Sequence, residues 1–493
     1  MDFKEFYQAC GLGDYPFNTF TTEEENDAEE LFVEPVDYTL IKDGYKNHRT
    51  IMMTGNRGTG KTAIVYDLIR NSSKDTLVCY NDDYSNVNIN SNLYEFYEVI
   101  VRNLVNTLFE KSINKKKEIR RLSKNDKVFF SYLISKFVTQ ITNQRVLEQI
   151  ENIQLSKVQR SINKISGFIQ LVLNYGITVA VRTFNNVTTT NYYMLPALND
   201  NEIRKILPEI KFTIDNHFID IDTSYSFILK TCDLINKMGF KEISVFLDKL
   251  DEDSRFENDA DIISEFLVPL LTDNKLLLNK NLQLVTSIWT VPFVNIKEKI
   301  RTQKYYCPSV TWQSSDLIRA FNKRIKTFGA NSNLNYNTVF YSDVSESLKV
   351  KIIELANRNP RDLWHIFNHL FHEQFKIEPQ ANQISRLAVE QGLKEFVKQF
   401  NYFEYYPRKK SARASSMDVY KYINYLLKLN SSEFTSNQLN EAGAGSSSNN
   451  YIGGMQAIGL IQRTDRKRNN GVIYEICDPK VIYAMGNDIK ITR

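Results

Sequence analysis

Eight consecutive residues, Gly55, Asn56, Arg57, Gly58, Thr59, Gly60, Lys61 and Thr62, fit the pattern G-x-x-x-x-G-K-[ST] in full. Glycines let the backbone curl so that successive N–H groups point inward at phosphate oxygens, and a helix starting at the loop's end adds its positive N-terminal dipole. In this pattern Lys61 reaches the β/γ-phosphates of a nucleoside triphosphate, Thr62 ligates Mg²⁺, and Ala63 borders the cradle. A plain glycine turn is the simpler alternative, but the flanking strand and helix argue against it. Residues 243–252, ISVFLDKLDE, supply the carboxylates. Asp248 follows five residues of strand composition, where such sites hold the Mg²⁺ shell. Glu252 or Asp251 is the acid that would orient or deprotonate an attacking water, reaching in from the loop rather than the strand end.

These groups need elements to position them. Residues 51–70 read as an apolar strand, a loop and an amphipathic helix, and TLVCY at 76–80 as a second buried strand. Asp82 and Asp83 follow it, where α/β sheets bind ligands, although loops are commonly acidic. NLQLVTSIW at 281–289 is a further strand, leaving Thr286 or Ser287 at its carboxyl edge either to sense a γ-phosphate or simply to end the strand. Upstream, Thr22 and Glu25 have capping-box spacing, which predicts a short acidic helix ending near Val33. That helix either walls a base pocket or merely packs. From 93 to about 210 the pattern is helical and too long for one crossover, so it reads as an insertion broken near Asn125 and Gly176. Val179 to Val181 is a candidate return to the sheet. KKKEIRR at 115–121 is either a solvated helix face or a contact for nucleic acid or a partner.

The totals limit the function classes. A chain of 493 residues, 42% apolar and 24% charged, is globular material for two to four domains. A formal charge of +4 demands no polyanion globally. Five scattered cysteines, Cys10, Cys79, Cys232, Cys307 and Cys477, favour a reducing, cytoplasmic setting. No signal-peptide pattern opens the chain, and the apolar run at 165–181 is broken by Ser166, Gln170 and Asn174, which argues against a membrane span.

Together, GNRGTGKT, FLDKLDE, TSIW and ANRNPRDL at 356–363 resemble the AAA+ and STAND superclass of phosphate-loop ATPases. The layout is most similar to the origin-recognition and Cdc6-like initiators and allied bacterial ATPases. The D-x-x-D-E arrangement resembles STAND proteins more than typical AAA+ members, whose strand ends in adjacent Asp-Glu. The resemblance implies an α/β fold: a P-loop NTPase three-layer αβα core with a large helical insertion, a helical lid and a C-terminal winged-helix domain. The expected division is a lead-in at 1–35, the core at 36–310 with its insertion at about 93–210, the lid at 311–400, a basic linker at 401–416 and the winged helix at 417–493. The family's lid contributes an arginine to the phosphates, and the match is Arg361, in the N-P-R that opens an apolar helix. His365, His369 and His372 share that helix's face. Lacking a nearby cysteine or a His-Glu-x-x-His pattern, they read as a packed or solvated face rather than a metal site.

The C-terminal segment has the order of a winged helix: a helix at 417–429, a second at 434–442, a third from 446, then strands at 460–463 and 472–476 around a basic turn, RTDRKRNNG. From Arg408 onward there are thirteen Lys and Arg against seven Asp and Glu, a balance of +6, which leaves −2 for the rest of the +4 chain. Arg463, Arg466, Lys467 and Arg468 are placed to meet phosphates; Asn449, Asn450 and Gln456 are placed to meet base edges or backbone. Protein contact is the competing role for this module. The expected function is an ATPase switch, slow or partner-stimulated, that uses ATP and Mg²⁺ and couples nucleotide state to double-stranded DNA. A non-hydrolysing ATP-dependent regulator or STAND-like defence sensor, whose winged helix contacts protein, is the alternative, and a protein partner or a homo-oligomer is a further expectation.

Overall fold

The computed structural model describes residues 2–90, 92–112, 115–137, 221–330, 333–408, 418–444, 448–468 and 471–492. In chain order β1 is Ile51–Gly55, α1 Lys61–Arg70, β2 Thr76–Asn81, α2 Leu93–Ser112, α3 Ile221–Lys237, β3 Glu242–Leu247 and β4 Gln283–Trp289. There follow α4 Ser314–Phe328, α5 Pro360–Ile377, α6 Arg386–Gln399, α7 Val419–Leu426, β5 Glu433–Phe434, α8 Ser448–Ala457, β6 Ile461–Arg468, β7 Gly471–Ile476 and α9 Pro479–Gly486. The fold is α/β, with a parallel four-stranded sheet ordered β1-β4-β3-β2. Every residue of β1 is buried, as expected of a strand covered on both faces.

Contacts divide the chain into two compact units. One comprises Ser72–Leu247 and Pro269–Val285. In it β2 and β3 pair in parallel from Thr76 opposite Glu242 to Asn81 opposite Leu247. Helices α2 and α3 pack together. Phe96, Ile100, Leu104 and Leu108 recur at intervals of four on α2 and are all buried, which explains why this stretch is helical.

The other unit comprises Met1–Asn71, Asp248–Val268 and Thr286–Arg493. Its aromatic core is centred on α5, where Phe367 and Phe371 lie against Phe17 and Phe367 against Phe321. β1 is flanked by a parallel segment, with Met52 N–H donating to Tyr306 O at 2.8 Å and Val310 N–H to Thr54 O at 2.7 Å. Toward the C-terminus a three-stranded antiparallel sheet, ordered β5-β7-β6, is accompanied by α7, α8 and α9.

Several sequence expectations change. The acidic helix expected between Thr22 and Val33 is a 3₁₀ turn, Thr22–Glu24, and a separate single turn, Ala28–Leu31. Thr21 rather than Thr22 is the N-cap, with no side-chain cap bond, and Glu25 instead pairs with buried Arg324, so a tertiary ion pair has displaced the local capping box. In the C-terminal module Phe434 belongs to β5, opposite Tyr474, so the second helix starts at Ser436; it is α-helical to Leu439 and continues as a π-type turn over Asn440–Ala444. Strand β6 runs on to Arg468, so Arg463, Arg466, Lys467 and Arg468 lie on a strand with a register shift between Arg463 and Lys467, not in a turn. In the expected insertion Leu93–Ser112, Lys116–Arg121 and Lys124–Phe137 are helical. The interruption expected near Asn125 falls at Leu122 and Ser123. The remainder of that stretch, including the run at 165–181, Gly176 and the candidate strand at 179–181, lies outside the described residues, as do residues 409–417 of the basic linker. No described helix is long and apolar enough to cross a membrane.

Candidate functional site

β1 ends at Gly55, and the chain turns through Gly58 and Gly60, whose φ angles of 81° and 83° lie in the left-handed region. Gly60 is the N-cap of α1 and provides no side chain for the helix's first N–H groups. Lys61 folds back over the loop, its ammonium donating to Gly55 O and Asn56 O at 3.1 Å each. Burial pulls the Lys61 pKa down, while the charges of Asp251, Asp248 and Glu252 hold it up. The Thr62 hydroxyl makes no hydrogen bond among the described residues.

A cavity of about 370 Å³ opens beside this loop. Arg57, Gly58, Gly60, Lys61, Thr62 and Ala63 line it, and so do Asp248, Asp251, Glu252, Ser287 and Arg361. Gly55, Asn56 and Thr59 stand behind the lining. Thr59 Oγ1 donates to Asn56 O at 2.8 Å, and Thr59 O accepts from Trp312 Nε1 at 2.9 Å. The far wall is more apolar, with Phe20, Val33, Trp312 and Trp364 around the buried guanidinium of Arg324. The segment expected to carry an acidic helix thus does line the cavity, in another conformation.

The acids differ in their partners. Asp248 is buried immediately after β3 and accepts a hydrogen bond from Ser287 Oγ. Asp251 is committed to Arg57, whose Nε donates to Asp251 Oδ2 at 3.2 Å and whose Nη2 donates to Asp251 O at 3.1 Å. The Arg57 guanidinium also donates to Asn258 Oδ1 at 2.6 Å and lies 4.3 Å from the Trp289 ring. Arg57 therefore braces the loop against the acidic segment. The Glu252 carboxylate accepts no hydrogen bond among the described residues. Its pKa is pushed above the usual carboxylate value by burial and Asp251, against the opposing pull of Lys61 and Arg57. Next to these acids Lys249, with φ of 54°, pairs with Glu23 at 2.6 Å across the cavity rim.

Of the two polar residues at the end of β4, Ser287 faces the cavity and Thr286 does not. Thr286 is buried with its hydroxyl toward Ile51 O at 3.4 Å, because successive strand residues point to opposite faces. Asp82 and Asp83 are exposed in the loop after β2, where Asp83 receives Ser85 N–H at 2.9 Å.

Helix α5 closes the cavity from the other side. Asn359 is its N-cap, accepting Arg361 N–H at 3.0 Å, and Pro360 occupies the first helical position. The same Asn359 amide donates to Arg57 O at 2.7 Å. Loop and helix approach so closely that a Cβ on Gly58 would stand 2.6 Å from Asn359 Oδ1 and 2.9 Å from Arg361 Cβ. The Arg361 guanidinium makes no hydrogen bond or ion pair among the described residues. It also borders a second cavity of about 590 Å³, shared with Arg57, Glu252, Asp362, His365 and Tyr405. His365 stacks on Phe20 at 3.8 Å, and burial pushes its pKa down to about 4. His372 stacks on Phe3 at 4.5 Å, and the described residues contain no metal-ligating cluster.

Sequence reasoning missed Asn359, Trp312, Arg324, Asn258 and the Arg57 brace. Asn359 had a signal: an Asn directly before Pro at a helix start is an N-cap pattern. Arg57 and Asn258 meet only through the fold, 201 positions apart.

In the C-terminal module Asn449, Asn450 and Gln456 are exposed on α8, and Asn449 Oδ1 accepts from Ser436 Oγ at 3.0 Å. Arg463, Arg466, Lys467 and Arg468 are exposed on β6. Two of them lean on one carboxylate, with Arg466 2.9 Å and Arg468 3.8 Å from Glu433.

No family model matches the chain, and neither does any curated protein. Among solved structures, one described as "Structure of Drosophila ORC bound to DNA" aligns over 93% of this chain and 90% of that one, with 10% identity and a TM-score of 0.31. That likeness is too loose to support an argument about function.

Proposed function

We propose that this chain is an ATP-binding, ATP-hydrolysing switch of the AAA+/STAND type. The observation that carries the reading is the meeting of Lys61, Thr62, Asp248, Glu252 and Arg361 around one cavity. In this reading residues 55–62 form a P-loop whose N–H groups and Lys61 hold the triphosphate, and the apolar wall at Val33 and Trp312 receives the base. The donor set fits Mg²⁺: the Thr62 hydroxyl has no hydrogen-bond partner among the described residues, and Asp248 is a carboxylate oriented by Ser287. When bound, the ion neutralises charge on the β- and γ-phosphates.

The partners of the two acids separate their roles. Asp251 supports Arg57, whereas Glu252 is available to accept a proton from water as the water oxygen attacks the γ-phosphorus and the bond to the β–γ bridging oxygen breaks, releasing ADP. A carboxylate of raised pKa is a better proton acceptor than an ordinary one. Lys61 and Arg361 stabilise the charge that develops on the transferred group. We assign the division into core, lid at 311–400 and winged helix at 417–493 to the same reading, with α8 and β6 as the surface for duplex DNA.

The alternative, a non-hydrolysing regulator or defence sensor whose C-terminal module contacts protein, draws support from Glu433, which already compensates Arg466 and Arg468. Phosphate release from ATP separates the two, measured with and without duplex DNA for the wild type, Lys61→Ala and Glu252→Gln. Turnover by the wild type alone supports the hydrolase. Wild-type turnover no higher than that of Lys61→Ala under both conditions rules it out.

A further inference from the structure

Lys480, in the first turn of α9, is completely buried although it is a lysine. Its ammonium donates to Asp362 Oδ2 at 3.1 Å, lies 3.8 Å from Asp478 Oδ1, and sits over the rings of Phe400 and Tyr405 at 4.4 and 4.9 Å. Replacing a buried ion pair by packed apolar residues is commonly neutral or stabilising, so fold stability alone gives little reason for it. Its connections suggest another reason. Asp362 is in the first turn of α5, next to Arg361, and its second oxygen accepts from the Tyr405 hydroxyl at 2.7 Å. That hydroxyl accepts in turn from the Asn359 amide, which also donates to Arg57 O in the phosphate loop. A second limb starts from the same loop residue. The Arg57 guanidinium donates to Asn258, whose amide donates to Phe403 O at 2.6 Å and whose carbonyl accepts Arg408 N–H at 2.9 Å. Both limbs end on residues 403–408, the segment preceding the C-terminal module, and Tyr406 there donates to Asp478 at 2.8 Å.

We propose that Tyr405 is a positioning residue, joining the phosphate loop to α9 through the continuous chain Arg57 O, Asn359, Tyr405, Asp362 and Lys480. The inference rests on the nucleotide reading of the cavity and deepens it by naming the route to the C-terminal module. Gly58 touches Asn359 and Arg361 so closely that a phosphate held by the loop N–H groups changes the geometry of the Arg57 peptide relative to Asn359. The Asn359 amide is shared between that peptide and the Tyr405 hydroxyl, so a change at one end alters the hydrogen bond at the other. Coupling of this kind is reciprocal, and a change at Lys480 returns to the loop.

Tyr405→Phe tests the inference because it removes only the hydroxyl that joins the two halves. Backbone hydrogen exchange of α9 and of the loop 55–62 is measured in full-length wild type, Tyr405→Phe and Lys480→Met, without nucleotide and with ATP or ADP, alongside calorimetric ATP affinity and Tm. In the wild type, exchange in α9 differs between the ATP-bound and nucleotide-free states by about fivefold or more, the lower end of typical coupling. In Tyr405→Phe, ATP affinity stays within about threefold, a change smaller than a typical coupling, while the α9 response disappears. Lys480→Met changes loop exchange with no nucleotide present. ATP binding with a silent α9 in the wild type overturns this inference and leaves the proposed function standing. So does a Tyr405→Phe protein that loses Tm but keeps the wild-type response, since its role is then structural. A wild type that binds no ATP overturns both.

Discussion

The cavity beside residues 55–62, where Arg57, Lys61, Lys249, Arg324 and Arg361 stand among six carboxylates, and strand β6 both present cations, in opposite settings. In the cavity Arg57 is locked by Asp251, Asn258 and Trp289, and Lys61 is tied to two loop carbonyls. On β6 the cations are exposed, and two share a single carboxylate. Charges held in a cleft are screened less and act with defined geometry, whereas exposed charges form a field that salt screens. The cavity is therefore suited to one small anion in one pose, and the strand to an extended polyanion or acidic surface in many registers.

The largest effect that tests this contrast is expected from Lys61→Ala. The lost ammonium weakens ATP binding about 100-fold, close to 2.8 kcal/mol, as read by calorimetry at physiological salt. The loss persists when salt is raised, because the group lies in the cleft. A loss that vanished at high salt would put Lys61 in the same category as the β6 cations.

Next in size is a test of the contact between the loop and α5. Gly58→Ala places a Cβ against Asn359 and Arg361 at a left-handed φ, which costs about 1–3 kcal/mol in urea unfolding. Asn359→Ala loses the helix cap and costs about 0.5–2 kcal/mol. Because the two changes share a contact, they are expected to be non-additive in a double-mutant cycle. Additive costs would show that the loop and α5 are energetically separate.

The parts of this arrangement legible in the sequence were those written locally. The apolar run before Gly55 and the helix pattern after Lys61 lie within twenty residues, and Asp248 follows a strand that its composition announces. What the sequence hid was the choice among equivalent neighbours. Asp251 and Glu252 look alike until the fold brings Arg57 to one of them, and Thr286 and Ser287 look alike until the strand's pleat sends them to opposite faces. At Glu25, local capping propensity pointed one way, and burial of Arg324 pulled the carboxylate another. In sequence the basic run at 463–468 reads as a turn because charge resembles solvent exposure, yet a strand edge exposes charge just as well.

A smaller effect concerns Glu252. Its pKa in the folded protein is raised by burial, so the folded state holds its proton to higher pH than the unfolded chain does. The stability this group contributes is present below the unfolded carboxylate pKa and is lost as pH rises through the folded value. Glu252→Gln removes that loss, so the variant is more stable than wild type at pH 7 by about 0.5–2 kcal/mol, as found where a site residue is held at the expense of the fold. The gain shrinks toward pH 4. Chemical denaturation at both pH values checks it, and an equal difference at the two would show that ionisation is not its source.

The smallest expected effect is on β6, where Glu433 restrains two of the cations. Glu433→Ala leaves the fold unchanged and frees Arg466 and Arg468, raising duplex DNA affinity at low salt by about two- to fivefold and steepening the salt dependence by about 0.9 for each phosphate newly contacted. Replacing Arg466, Lys467 and Arg468 together by Ala moves both quantities the other way. Unlike the Lys61 effect, these changes fade as salt rises, because each group is exposed. If both variants bind duplex as the wild type does, β6 does not contact DNA, and the charge concentrated on this strand serves a protein surface instead.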